Sequence, residues 1–300
     1  MSLRPAPGRV DPGMTETTPL IQPGAQLERL YTGMAWAEGP VWLPDAGAVR
    51  WSDIPNDRIL QFDAATGGVD VYRAGVEFTN GRTLDLEGRV VQCSHGLRRI
   101  ERDVDGVVTP IVDRWDGVRF NSPNDVVVAS DGAIWFTDPP YGILSDHEGH
   151  AAAPEYEGCF VFRFDERMGE LRPVITDMVH PNGLAFSPDE TVLYVSDTAG
   201  ATQPGVPHHI RRYRVHDGAC DQGDTFALIE DGVCDGLRVD ARGRVWASSA
   251  TGVVVFDAEG ARVGAIPVPE IVSNVCFGGE DGTTLYITAS TSLYRIHIHL

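Results

Sequence analysis

The stretch Asn121-Ser122-Pro123-Asn124-Asp125-Val126-Val127-Val128 runs on through Asp131-Gly132 into Ile134-Trp135-Phe136-Thr137-Asp138. An Asp-Gly step between two apolar runs marks a strand, a tight turn and a second strand. Two carboxamides and a carboxylate stand at the mouth of the first strand. The same plan recurs along the chain. Gly47 leads into Val49–Asp53, Gly88 into Val90–Cys93, Glu190 into Val192–Asp197, Gly243 into Val245–Ala247, and Gly282 into Leu285–Ile287. With the opening hairpin these are six occurrences, spaced roughly 40 to 60 residues apart.

Further strands follow each hairpin. Third strands are expected at 59–62, 97–100, 161–164, 210–215, 253–256 and 293–296. Weaker outer strands are expected at 69–72, 107–112, 171–176, 225–229 and 263–268. No amphipathic helix stands out. Six repeats of about four short strands describe an all-β, six-bladed β-propeller. A pair of β-sandwiches would need a linker dividing the chain, and none is found. The last repeat lacks an outer strand, so residues 26–31 are expected to close the ring by joining the last blade. This gives a single propeller domain over residues 20–300 behind a flexible tail over residues 1–19. The longer insertions, 141–157 and 198–208, are expected as loops over one rim, forming part of a lid.

The chain has 300 residues and a net charge of −19, which argues against a nucleic-acid or anionic-membrane partner. No apolar run is long enough for a membrane span. The first residues lack the apolar segment of a secretory signal. The five cysteines form no CxxC pair, which fits reduced thiols in a cytoplasm.

At the entrance of each inner strand a polar residue stands in the same phase: Glu38, Asn80, Asn124, Asn182, Asp235 and Asn274. In a propeller these positions encircle the central channel. Two carboxylates with carboxamide oxygens suit a hard divalent cation, with Ca2+ first and Mg2+ next. Zn2+ usually recruits His or Cys, and Mn2+ also fits an oxygen set. Asn-Gly and Asp-Gly are ordinary turn pairs taken singly; the shared phase is what sets them apart.

Glu38-Gly-Pro-Val-Trp, Arg119-Phe-Asn-Ser-Pro-Asn-Asp, Phe136-Thr-Asp-Pro-Pro-Tyr-Gly, His180-Pro-Asn-Gly-Leu-Ala-Phe-Ser-Pro-Asp and Cys234-Asp-Gly-Leu fall in order along the chain. Over residues 25–300 it thereby resembles the SMP-30/gluconolactonase/luciferin-regenerating-enzyme family, and its bacterial gluconolactonase branch in particular. The resemblance implies a six-bladed propeller with one divalent cation held by Glu38, Asn124, Asn182 and Asp235. It also implies that Asp235 is the general base, and that a sugar lactone such as gluconolactone is the substrate. Arg119, Asn121, His95 and Tyr141 would contact that substrate. Asp138, at the end of a second strand like Asp53 and Asp197, would support the ligands from behind.

Other residues have plainer readings. His208-His209 and His297/His299 read as surface histidines, Cys234 as small apolar packing, and Trp42, Trp51, Trp135 and Trp246 as blade core. No Gly-x-Ser-x-Gly elbow is present. Two other functions compete with the lactonase: a phosphotriesterase or organophosphate hydrolase of the same fold, and a binding propeller that keeps the ion for structure.

Overall fold

Alternating apolar residues bury one face of each short strand against the next sheet. In the computed structural model, which describes residues 20–300, the result is six small antiparallel sheets arranged in a ring. The tail expected over 1–19 lies outside the described residues. The innermost strands are Ala37–Leu43, Thr79–Leu84, Val126–Val128, Pro181–Phe186, Leu237–Val239 and Val272–Gly278. Each touches its neighbours in chain order, and the first meets the last. The ring closes as the sequence predicts: Glu28–Thr32 pairs antiparallel with Ser292–His297, and Glu28 lies opposite Arg295.

The core lies between blades. Trp51, Trp135 and Trp246 are fully buried. Trp135 meets Phe186 edge-on at 5.2 Å between the third and fourth blades, and Trp42 stacks on Tyr286 at 5.7 Å between the first and sixth. All four tryptophans expected in the blade core are in apolar clusters.

Three details differ from the sequence reading. The third strand of the second blade is Arg99–Val104, not 97–100, because the chain turns at Ser94–Arg98, where Arg98 is left-handed with φ 54°. A two-stranded ribbon, Arg114–Trp115 with Val118–Arg119, interrupts the passage to the third blade. The insertion at 141 opens with one helical turn, Tyr141–Leu144, where a loop was expected.

Candidate functional site

The dipeptides at the polar entrances are not hairpin turns. In four blades the ladder between inner and second strands skips there, at Glu38/Val41, Thr79/Arg82, Pro181/Leu184 and Val272/Asn274. These bulges turn the polar side chains toward the axis. The glycine that follows four of them serves the neighbouring blade. A Cβ on Gly81 would come within 2.5 Å of the Asn124 carbonyl oxygen, and one on Gly183 within 2.5 Å of that of Asp235. Instead each glycine N–H donates to that same carbonyl at 2.8 Å. Adjacent blades are thus tied together at the ring itself.

Five of the six ring residues line one cavity of about 260 Å³: Glu38, Asn80, Asn124, Asn182 and Asp235. Asn274 does not. Its Nδ2 donates to Glu38 Oε2 at 3.0 Å, and its Oδ1 accepts from Val275 N–H at 2.9 Å, so both amide atoms are spent. Equal phase therefore does not mean equal role: Asn274 holds Glu38 from behind. The amides of Asn80 and Asn182 are oriented differently. Asn182 Nδ2 donates to Thr198 Oγ1 at 3.2 Å, and Asn80 Nδ2 lies 3.1 Å from His95 Nε2. His95 Nδ1 lies 2.9 Å from the Glu148 carbonyl oxygen, to which only an N–H can donate. Nε2 is then the acceptor and the imidazole is neutral; burial pushes its pKa down to about 4. With both nitrogens anchored, the Asn80 and Asn182 oxygens are left for the cavity.

Below the ring the channel is plugged. Arg238 Nη1 pairs with Asp125 Oδ2 at 3.1 Å. These residues belong to the fifth and third blades, which are not neighbours, so the pair crosses the axis. Arg82, fully buried, donates to the Gly39 carbonyl at 2.7 Å and to Ser52 Oγ at 2.6 Å. The cavity therefore opens toward the other rim. There both insertions line it, through Tyr141 and Glu148 from one and Thr198, Ala201 and Thr202 from the other. Tyr141 OH meets Thr198 Oγ1 at 2.5 Å and joins the two. Sequence reasoning missed Glu148, Thr198, Trp36, Ile54 and Val233. Trp36 and Val233 each stand two residues before a ring member, Ile54 and Thr198 each follow the aspartate that ends a second strand, and Glu148 alone stands outside the repeat.

The two carboxylates have no cationic side chain beside them in the cavity lining. Burial raises Glu38 well above the ordinary range, Asp235 and Asp125 raise it further, and the Gly39 N–H and Asn274 amide oppose. Burial pushes Asp235 up to about 7, with Glu148 adding and the Asn182 amide opposing. Among the described residues no group of three or more His, Cys, Asp or Glu is gathered for a metal; the ring consists of two carboxylates with amide oxygens. Such a set fits a hard cation, which would supply the missing positive charge.

Asp53, Asp138 and Asp197 share one device. Each carboxylate accepts backbone N–H groups two or three residues before a ring member. Asp53 accepts from Ala35 at 2.9 Å, Asp138 from Asn121 at 2.7 Å, and Asp197 from Val179 and His180 at 2.9 and 3.1 Å. They hold the approaches to Glu38, Asn124 and Asn182. Asp138 also accepts from Tyr156 OH, and burial pushes it up to about 7.

Of the residues expected to touch substrate, Tyr141 lines the cavity. His95 lies behind Asn80. Asn121 Nδ2 donates to the carbonyls of Asp138 and Gly158 at 3.2 and 3.1 Å. Arg119 donates to the Leu97 carbonyl at 3.0 Å, outside the cavity lining.

Residues 36–291 match the model of the SMP-30/Gluconolactonase/LRE-like region. The chain belongs to this family. A gluconolactonase of Zymomonas mobilis is 32% identical, across 92% of this chain and 82% of its own length. A pentonolactonase of Haloferax volcanii is 31% identical, across 86% of this chain and 83% of its own. A gluconolactonase structure from Xanthomonas campestris is 40% identical and superposes with a TM-score of 0.87, covering 94% of each chain. The family fold is the six-bladed propeller seen here. Among the described residues no helix is long and apolar enough to cross a membrane, and Cys93, Cys159, Cys220, Cys234 and Cys276 are all free thiols.

Proposed function

We propose that this protein is a divalent-cation-dependent lactonase that opens a sugar lactone of the gluconolactone class to its aldonic acid. One observation carries the reading. In a chain whose relatives are named as lactonases, five oxygen-bearing ring residues converge on a cavity of sugar size, and two of them are carboxylates with no cationic partner in the lining. Glu38, Asn124, Asn182 and Asp235 would hold the cation, Ca2+ by the hardness of the donors. A cation bound there supplies positive charge for the lactone carbonyl oxygen and for the oxyanion that develops on it.

The chain's own residues do the rest. Asp235, its backbone N–H fixed on Ser248 Oγ at 2.8 Å, is the general base. It takes a proton from water as the water oxygen bonds to the carbonyl carbon. The proton returns to the ring oxygen as the carbon–oxygen bond breaks. The Asn80 oxygen is presented to substrate hydroxyls. Burial keeps the Tyr141 hydroxyl protonated, so it serves as a neutral wall and hydrogen-bonding group. The Arg238–Asp125 plug keeps the site open at one end only.

The test is a panel of aldonolactones and organophosphate triesters, assayed with saturating Ca2+ and after chelation. Lactone hydrolysis abolished by chelator is expected. Faster turnover of triesters than of every lactone, or cation binding with no hydrolysis of either class, would overturn the reading.

A further inference from the structure

Glu148 is a third carboxylate on this cavity and belongs to neither the ring nor the repeat. It comes from the rim insertion of the third blade, and the segment around it is pinned. Its carbonyl accepts from His95 Nδ1 at 2.9 Å. His150 N–H donates to the Gly142 carbonyl and Ala152 N–H to that of Ile143, both at 3.0 Å. His150 Nε2 meets Glu77 Oε2 at 2.9 Å. Gly142 N–H donates to Ser122 Oγ at 2.9 Å, so the Ser122-Pro123 step of the opening stretch helps seat the insertion.

The Glu148 side chain itself has no protein partner. It is half-buried on the cavity wall, and the influences on its carboxyl are burial and His147, with no hydrogen bond among them. Half-burying an unpaired carboxylate costs free energy, yet the backbone holds it there. No Arg or His lines the cavity, and the chain has no lysine. A cation in the ring would offset Glu38 and Asp235 but leave Glu148 uncompensated at the open end.

We infer that Glu148 is the specificity-determining residue of the cavity: it accepts hydrogen bonds from the hydroxyls of uncharged lactones and repels anions. The inference rests on the lactonase reading and names its substrate class, neutral polyhydroxy lactones without phosphate, sulfonate or carboxylate. It also bears on turnover. Hydrolysis converts a neutral lactone and water into an aldonate anion and a proton, so the carboxylate that admits the substrate drives out the product.

The test compares the full chain with Glu148→Gln and Glu148→Ala, with saturating Ca2+ at about pH 8, where carboxylates ionise. Calorimetry measures D-gluconate binding. Kinetics compares kcat/KM for D-glucono-δ-lactone and for its phosphorylated counterpart. In both variants gluconate is expected to bind about tenfold tighter, and the ratio of phosphorylated to neutral kcat/KM to rise about tenfold, the scale of one like charge in a partly screened site. The KM for the neutral lactone rises at the same time. Damage to the fold would not raise affinity for an anion while lowering it for a neutral ligand. Gluconate binding and substrate ratio both within about twofold of the unaltered chain would overturn the inference. If the unaltered chain hydrolyses no lactone, the lactonase reading falls, and the gluconate titration still decides the role of Glu148.

Discussion

Asp235 and Asp138 are both pushed to about 7 by burial, and they lie in opposite settings. Asp235 lines the cavity beside Glu38 and Glu148, two more carboxylates. Asp138 is fully buried and faces donors, the Asn121 N–H and the Tyr156 hydroxyl. A raised pKa therefore does not mark the reactive group by itself. What surrounds the carboxylate decides: like charge and an open cavity for Asp235, protein donors for Asp138.

Exchanging the two roles is the sharpest way to break this contrast. Asp235→Asn should lower lactone hydrolysis by about 10³-fold or more, through loss of a general base and a ligand. Its melting temperature should hold or rise, because a buried like charge is removed. Asp138→Ala should do the reverse. Stability is expected to fall by about 2–4 kcal/mol, since a buried N–H and a hydroxyl lose their acceptor. Activity per folded molecule should fall less than tenfold. If Asp138→Ala proves inactive but stable, the contrast fails.

The glycine steps should show the next largest effect. Gly183→Ala would press a methyl group against the Asp235 carbonyl, where the blades meet within hydrogen-bond distance. A loss of about 1–3 kcal/mol in denaturant unfolding is expected, with weakened cation binding, because Asn182 and Asp235 flank the contact. Gly47, in an open turn with nothing near its Cβ position, has no such contact to lose.

The pH dependence separates the two aspartates again. Both hold folded pKa values above the unfolded one. Between the two values the folded chain keeps a proton that the unfolded chain releases. Without cation, stability should therefore fall as pH rises from about 4 to about 7 and level off above. Saturating Ca2+ should remove the part of this slope due to Asp235 and Glu38 and leave the part due to Asp138. Calorimetric melts across that range, with and without Ca2+, provide the check. An identical slope in both would place Asp235 away from the cation.

At Asn274 the expected effect falls on cation affinity and leaves the fold in place. Its replacement by Ala should weaken Ca2+ binding about 10- to 100-fold, as loss of a group behind a ligand does, through a looser Glu38. Titration with a calcium indicator measures it.

The fold was legible because a propeller repeats. Six hairpins, alternating third strands and an unpaired segment at 26–31 are local patterns, and the closing strand followed from counting. The ring was legible by phase. The sorting within it was not. Asn274 has the phase of a ligand, but its amide is spent on Glu38, 236 residues away in sequence. The Asn-Gly and Asp-Gly steps resemble turns because the residue types are the same; their cause, a neighbouring backbone carbonyl, appears only once the blades are packed. Glu148 had no signal beyond its place in the insertion expected over the rim. It lies in an insertion outside the repeat, and its place above the ring depends on His95, Ser122 and Glu77, from other parts of the chain.

The most direct test of the cation-bearing ring is the initial rate of D-glucono-δ-lactone hydrolysis by chelator-stripped protein as Ca2+ is added back. The rate should start near the uncatalysed background and rise to saturation with one cation per chain, and Asp235→Asn should stay at background throughout. Full activity in excess chelator, or full activity of Asp235→Asn at saturating Ca2+, would contradict it.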